Sequence, residues 1–344
     1  MKGIQQENLD AYFAEHIADV APPLHFEMIV GGHSNLTYRV EDTRGRKMVL
    51  RRPPLGMVLA TAHDMSREHR ILAGLGGSAV PVAPVLALCE DETVNDAPFY
   101  VMEYVEGDVL TSPSQTAELV PEDKREALGL HIIETLAHLH NIEPDDVGLG
   151  DLGRREAYLA RQLKRWKGQW EKSKTRELAT MEEAHALLES KMPEQEGASI
   201  VHGDYRMGNF LSDGANGRIA AVLDWELCTL GDPMADVGYL MNDWNGPNDT
   251  RPTASGTGES AISCGGFPSR ETMLARYEAL TGRSTAGVDY YRAFQYWRLA
   301  AIVEGVLARY LKGVMGEGGD TDRFRKQVDA LAEAAVELAS SDAL

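Results

Sequence analysis

The chain reads as an α+β protein made of a small β-rich N-terminal part with one internal helix, followed by a larger, mostly helical part. Three observations carry this reading. Strand-like runs separated by turn residues fill the stretch before Gly107, segments with helical spacing follow it almost to the C-terminus, and 344 residues exceed what one compact core usually organises. The expected division is 1–105 for a first, β-rich lobe and 106–344 for a second, helical lobe.

Residues 7–17 read as a short amphipathic helix that ends before Pro22-Pro23. LHFEMIV, GGHSN, LTYRVED, TRGR and KMVLRR then alternate strand, turn, strand, turn and strand. MSREHRILAGL (65–75) has helical spacing through Ile71, Leu72 and Leu75, and two further strands fall around 84–89 and 98–105. Beyond Gly107, KREALGLHIIETLAHLHNI, REAYLARQLKRWKGQWE, ATMEEAHALLESKM, SRETMLARYEALTG, DYYRAFQYWRLAAIVEGVLARYL and DRFRKQVDALAEAAVELA read as helices. Two polar, strand-flanked stretches interrupt them, VHGDYRMGNF at 201–210 and AAVLDWE at 220–226. The Gly/Ser/Thr/Pro-rich stretch from Asn245 to Pro268 reads as a long mobile loop.

Composition narrows the function classes. A formal net charge of −19 repels nucleic acid and anionic membrane surfaces, so neither is expected as a partner. Cys89, Cys228 and Cys264 are scattered without CxxC spacing, which suggests neither a disulfide framework nor a structural zinc site. The N-terminus has no apolar leader core, and the longest apolar run, AVPVAPVLAL, is too short for a membrane span and broken by prolines. The expectation is a cytoplasmic protein.

The two polar stretches carry the chemistry. Phosphoryl transfer from a nucleotide needs phosphate charge neutralised and an acceptor hydroxyl held in line beside a carboxylate. In the kinase arrangement a base Asp is followed five residues later by a metal-binding Asn, and a second metal-binding Asp ends a nearby hairpin. Here Asn209 follows Asp204 by five residues, and Asp224 ends the strand IAAVL after the turn DGANG. Carboxylate and amide oxygens are the ligands that Mg2+ prefers, with substrate phosphates completing the shell.

HGDYRMGN followed by LDWE resembles the aminoglycoside phosphotransferase family of the protein-kinase-like fold. More narrowly, it resembles the branch found fused to, or encoded beside, acyl-CoA dehydrogenases. The resemblance runs from Ile29 to Leu311 and implies a bilobal kinase-like enzyme using ATP or GTP with Mg2+ on a small-molecule hydroxyl acceptor. It implies Asp204 as catalytic base, Asn209 and Asp224 as metal ligands, and His202 as the residue that orders the loop. VGGHSNLTYRV is similar to the turn that closes over the phosphates, with Gly31 and Gly32 permitting close approach and His33, Ser34 and Asn35 offering N–H groups. KMVLRR presents Arg51 where the family usually has a phosphate-binding Lys, with Glu68 as ion-pair partner. Strand neighbours face opposite sides, so Arg51 and Arg52 are both open as the inward residue. PFYVMEYVEG resembles the hinge, implying that the backbone of Glu103 and Val105 bonds the adenine edge. Asp236, in GDPMADVGYL, matches the residue that anchors the catalytic loop from beneath, and also fits a plain helix N-cap.

The acceptor implied by the resemblance is a hydroxy acid, a hydroxyacyl-CoA or an aminoglycoside-like molecule, with association with enzymes of acyl-CoA metabolism. The alternative is a catalytically silent nucleotide-binding module partnering an acyl-CoA dehydrogenase. GLGGSA spells a dinucleotide fingerprint but follows a helix, which excludes it. His138 and His140 point apart on a helix, so one is expected in the core and the other at its end. From Arg154 to Arg176 nine basic residues accompany two acidic ones; packed tryptophans with a solvated basic face are the plain reading. The sharper one is that Arg161, Lys164 and Arg165 attract an anionic acceptor. Tyr290, Tyr291, Phe294, Tyr296, Trp297 and Arg298 crowd one helix, mostly as core, and Asp243 and Trp244 are weaker site candidates.

Overall fold

A computed structural model describes residues 1–29, 35–55, 64–245, 249–253, 259–314 and 320–341. The chain divides into two compact units. The first comprises Met1–Glu106, Val147–Leu149 and Ala220–Glu226; the second comprises Gly107–Asp146, Gly150–Ile219 and Leu227–Leu344.

The first unit is built on a five-stranded antiparallel sheet. It is formed by β1 (His25–Met28), β2 (Leu36–Glu41), β3 (Lys47–Arg52), β4 (Val85–Cys89) and β5 (Phe99–Glu103), in the order β1-β2-β3-β5-β4. One face packs on α1 (Gln6–His16), whose Leu9 and Phe13 meet Phe26, Tyr38, Val40, Met48, Leu50 and Val101. α2 (Met65–Leu75) starts where Asp64 accepts from the Arg67 N–H, and it buries Met65, Ile71, Leu72 and Leu75. A short helix, α3 (Glu92–Asn95), is capped the same way by Asp91.

Strand parity decides the fate of the two neighbouring arginines. Met48 and Leu50 belong to the core beneath α1, and Arg52 shares their side of β3. Its guanidinium donates to the carbonyls of Gly3 (2.6 Å) and Asn95 (2.9 Å), tying down the N-terminus and α3. Arg51 therefore takes the opposite face.

The second unit is mostly helical: α4 (Pro113–Leu119), α5 (Glu122–Asn141), α6 (Tyr158–Ser173), α7 (Ala179–Ser190), α8 (Met234–Met241), α9 (Arg270–Thr281), α10 (Val288–Leu311) and α11 (Thr321–Ser340). β6 (Ser199–Val201) pairs antiparallel with β9 (Thr229–Gly231). Between them lies the turn from β7 (Phe210–Asp213) into β8 (Arg218–Val222), closed by Asn216 and Arg218 donating to the Asp213 carboxylate. α10 is the central helix, with Tyr290, Tyr291, Phe294, Tyr296 and Trp297 all buried, which makes those aromatics core as expected. His140 is buried and His138 is exposed, as the helix geometry requires.

The stretch between Asn245 and Pro268 differs from the expected loose loop where it is described. Residues 246–248 and 254–258 lie outside the described residues. Asp249, however, accepts from Arg251 (2.8 Å) and Arg270 (3.1 Å), with Arg292 at 3.5 Å. The Tyr296 hydroxyl donates to the Pro252 carbonyl at 2.6 Å. Buried Arg292 and half-buried Arg251 and Arg270 gather on Asp249 here, and although burial alone would raise its pKa, Arg251 and Arg270 depress it to about 2.

α8 crosses α10 closely because residue 238 is glycine. A Cβ there would stand 2.5 Å from the Tyr291 Cβ and 2.7 Å from its carbonyl carbon. Gly238→Ala is expected to destabilise the protein by roughly 1–3 kcal/mol through overpacking, read as a lower urea midpoint with an unchanged slope. An unshifted midpoint would show that the two helices separate freely.

Candidate active site

In the second unit, β6 delivers a loop whose backbone is fixed from beneath by one buried carboxylate. Asp236, in the first turn of α8, accepts from the His202 N–H at 2.6 Å and the Gly203 N–H at 2.9 Å. It also stands 3.4 Å from His140 Nε2, while His140 Nδ1 lies 2.7 Å from the Tyr277 hydroxyl. Gly203 has φ +83, and a Cβ would come 2.9 Å from the Leu227 carbonyl oxygen, so the turn both needs and permits glycine.

The loop presents Asp204. Its N–H donates to His202 Nδ1 at 3.2 Å, which is where His202 contributes to loop order. The Asn209 amide nitrogen donates to the Asp204 carbonyl (2.8 Å) and carboxylate (2.6 Å), leaving the amide oxygen of Asn209 as its acceptor. Arg206 Nε lies 3.3 Å from both carboxylate oxygens of Asp204. Gly208 makes room for that guanidinium, since a Cβ there would meet Arg206 Nη1 at 2.3 Å. Asp243 accepts from the Met207 N–H at 3.2 Å, so this candidate acts on the loop backbone. Trp244 instead is buried and donates to the Pro268 carbonyl.

Arg206 and Tyr239 join this group without having been singled out by the sequence. Burial alone would lower the Arg206 pKa, but Asp204, Tyr239 and Asp243 around it raise it. Burial, and then the charge of Asp204, push the Tyr239 phenol well above its ordinary range. The available signal for Arg206 was its place inside the HGDYRMGN run, two residues past Asp204.

In the first unit, Arg51 is the arginine that meets the charged groups. Its Nε is 3.0 Å from Glu68 Oε2, and its Nη2 donates to Asp224 Oδ1 at 3.0 Å. The Glu68 approach is too oblique for a hydrogen bond, so that contact is electrostatic. Burial would lower the Arg51 pKa, yet Tyr100, Glu68 and Asp224 carry it above its already high value, so the guanidinium stays charged. Burial raises Glu68 more than Arg51 lowers it. Glu68 also accepts from the Asn35 amide (2.9 Å) and the Tyr100 hydroxyl (3.1 Å). Asn35 is thus seen as a buried support of Glu68.

Gly31, Gly32, His33 and Ser34 lie outside the described residues. The Glu103 N–H donates to the Pro84 carbonyl at 2.8 Å and its carboxylate pairs with Arg46, so the N–H half of that residue is already used. Val105 follows the end of β5. Among the described residues no cluster of three His, Cys, Asp or Glu side chains forms a ready metal site. No helix among them is long and apolar enough to cross a membrane.

Residues 25–261 match the sequence pattern of the phosphotransferase enzyme family, and the chain belongs to that family. It is 32% identical over 321 residues to acyl-CoA dehydrogenase family member 10 of Mus musculus, covering 93% of this chain and 30% of that protein. The chain thus spans about a third of that relative's length. A Ralstonia eutropha crystal structure, described as a candidate aminoglycoside phosphotransferase, shares 33% identity with a TM-score of 0.81 over 97% of this chain and 98% of that one. Choline kinase from Cryptosporidium parvum Iowa II, at 12% identity, has a TM-score of 0.67 over 98% and 97% of the two chains. The fold is the α+β, protein-kinase-like fold of this family, with its β-rich N-terminal and helical C-terminal parts.

His140 makes a pH dependence testable. Burial lowers its pKa from 6.5 against the opposing pull of Asp236. The unfolded chain then binds a proton below pH 6.5 that the folded protein resists, so stability falls as pH drops from about 7.5 to about 6. His69, His131 and His185 are lowered in the same direction by burial. Urea midpoints should therefore decrease across that window, and His140→Gln should flatten the decrease. A midpoint that rises on acidification would contradict this account.

Proposed function

We propose that the protein is a small-molecule kinase: it transfers the γ-phosphoryl group of ATP, with Mg2+, to a hydroxyl of a small acceptor. The observation that supports this most directly is the Asp204 carboxylate, oriented by Asn209 at 2.6 Å and by Arg206 at 3.3 Å on a loop whose N–H groups Asp236 holds. Asp204 would align the acceptor hydroxyl and take its proton as the bond to phosphorus forms. Asp224 and the amide oxygen of Asn209 are oxygen donors of the kind Mg2+ takes, and the ion would neutralise phosphate charge.

Arg51 is proposed as the phosphate-contacting cation in place of the family's usual lysine. Its fork can serve Glu68 and Asp224 and still offer an N–H to a phosphate oxygen. Gly31, Gly32 and Ser34 are proposed for the phosphate-covering turn, and Val105 with the Glu103 carbonyl for the adenine edge. Residues 1–105 are proposed as the nucleotide lobe and 106–344 as the catalytic and acceptor lobe. The name of the mouse relative favours an acceptor from acyl-CoA metabolism, and the protein is proposed to work in the cytoplasm.

Asp204→Asn should leave Mg-ATP affinity within about twofold while reducing ADP release by at least about a hundredfold, the range set by losing a positioned base. Asp224→Ala should remove the Mg2+ dependence of nucleotide binding. Both are read by calorimetry and by a coupled ADP-release screen over hydroxy acids, hydroxyacyl-CoAs, aminoglycosides and amino alcohols. Full turnover by Asp204→Asn would remove it as the base. Stabilisation by Mg-ATP with no ADP release to any acceptor would instead identify a silent nucleotide-binding module.

A further inference from the structure

One pocket in the second unit has a charge opposite to that of the chain as a whole. It has a volume of about 520 Å³ and lies between α6 and α10. Arg165 and Lys172 line it from α6, Arg309 and Lys312 from the end of α10, and Trp166 and Leu227 supply apolar wall. Among the described residues no carboxylate lines it, although the chain carries 53 acidic against 34 basic residues.

The cations on α6 are sorted by what neutralises them. Lys167 pairs with Glu171 and Glu182, and Lys174 with Glu171 and Glu177. Arg161 donates to the Arg154 carbonyl and, like Lys164, does not line the pocket. Arg165, Lys172, Arg309 and Lys312 form no ion pair among the described residues. Two unneutralised cations of this helix, Arg165 and Lys172, thus stand at the pocket together with Arg309 and Lys312.

A second observation points the same way. Arg298, on α10, is 7% exposed and has no carboxylate partner among the described residues. Its guanidinium sits 5.4 Å from the ring centre of Trp166 and 5.7 Å from that of Tyr239, and its Nε is buried without a hydrogen bond. Its Nη1 donates to the neutral Gln295 Oε1 at 2.8 Å, so the buried cation has one amide acceptor and two ring faces but no counter-charge among the described residues, which is costly unless an anion completes it. Trp166 is also pocket wall, and Tyr239 belongs to the Asp204 group. Leu227 lines the pocket and abuts Gly203, next to Asp204 in the chain. The basic pocket and the candidate base are therefore neighbours within one unit.

We infer that this pocket binds an anionic oxygen group, a carboxylate or a phosphate, and that the acceptor hydroxyl belongs to a molecule carrying one. This rests on the phosphotransfer reading for the word acceptor; the anion site itself does not. Polycationic acceptors such as aminoglycosides would meet like charge here.

Glycerol 3-phosphate, 3-hydroxybutyrate, glycerol and choline, titrated into the full chain with Mg-ADP present, separate the cases. Binding of a phosphate or carboxylate probe, weakened by salt and with no binding of uncharged glycerol, is expected; the stronger of the two probes identifies the source of the anion. Arg165→Glu with Lys172→Glu, both on the exposed face of α6, should weaken that binding at least about tenfold, a plausible worth for two charge-assisted contacts, with ADP affinity unchanged. Arg309→Gln with Lys312→Gln should act in the same direction from the other wall. Failure of both anions to bind, or equal binding by the charge-reversed protein, overturns the inference. Turnover of ATP confined to choline-like cations overturns it while phosphotransfer stands. No turnover with any acceptor, together with anion binding that the reversed protein loses, removes phosphotransfer and leaves the anion site.

Discussion

The buried carboxylate of Asp236 is the constraint on which the candidate site depends. Two consecutive backbone N–H groups, of His202 and Gly203, point at it from a loop that has no strand partner at those residues. A buried N–H left unpaired costs about 1–3 kcal/mol, so any other path for this loop would forfeit both bonds. The positive φ of Gly203 turns the chain onward from this clamp to Asp204, and the Leu227 carbonyl fills the space a side chain would need. An anionic acceptor at the start of α8 is further favoured by the helix dipole. Everything that follows on the loop, from Asp204 to Asn209, inherits its position from this clamp.

Asp204 is then oriented from two sides by chemically different groups. Asn209 reaches back across one 3₁₀ turn to the Asp204 carbonyl and carboxylate, which locks the side chain to its own backbone. Arg206 approaches from the other side at a longer 3.3 Å, a contact that balances charge more than it fixes geometry. Tyr239 and Arg298 extend the cluster toward Trp166 by ring-face contacts rather than ion pairs.

How much of this was readable from the chain follows from the range of each interaction. The helix at Met65–Leu75 has the bounds its apolar spacing gave, because one buried stripe and an Asp64 cap determine it locally. The short helices at Glu92–Asn95 and Pro113–Leu119 were not read, since four and seven residues give a periodicity too little length; the Asp91 and Ser112 caps, and Pro113 at the start of the second, were the local signals. Arg51 and Arg52 were left open because both faces of β3 are buried, and only the fold shows that Gly3 and Asn95 wait on one side. Asp236 was legible as an anchor through its place in GDPMADVGYL. The basic pocket was legible only in part: Arg165 was among the residues singled out on α6, but its partners Arg309 and Lys312 come from a helix end far along the chain.

The first unit shows what an arginine at residue 51 does that a lysine there could not. Asp224 has φ +62, a left-handed conformation that Asp tolerates but does not favour. Its setting over-determines it. The Val222 N–H donates to the Pro81 carbonyl at 2.8 Å, and the Trp225 indole donates back to the Val222 carbonyl at 3.0 Å. Arg51 adds the bond at 3.0 Å to the carboxylate itself. A guanidinium presents Nε and Nη2 in a fixed fork, so one side chain faces Glu68 with the first and holds Asp224 with the second. A lysine has a single nitrogen on a flexible stem, and serving both carboxylates would pull it off any third partner. The arginine therefore couples the strained metal-ligand candidate to the buried Glu68, Tyr100 and Asn35 network, and the conformation of Asp224 becomes a property of the sheet rather than of its own turn.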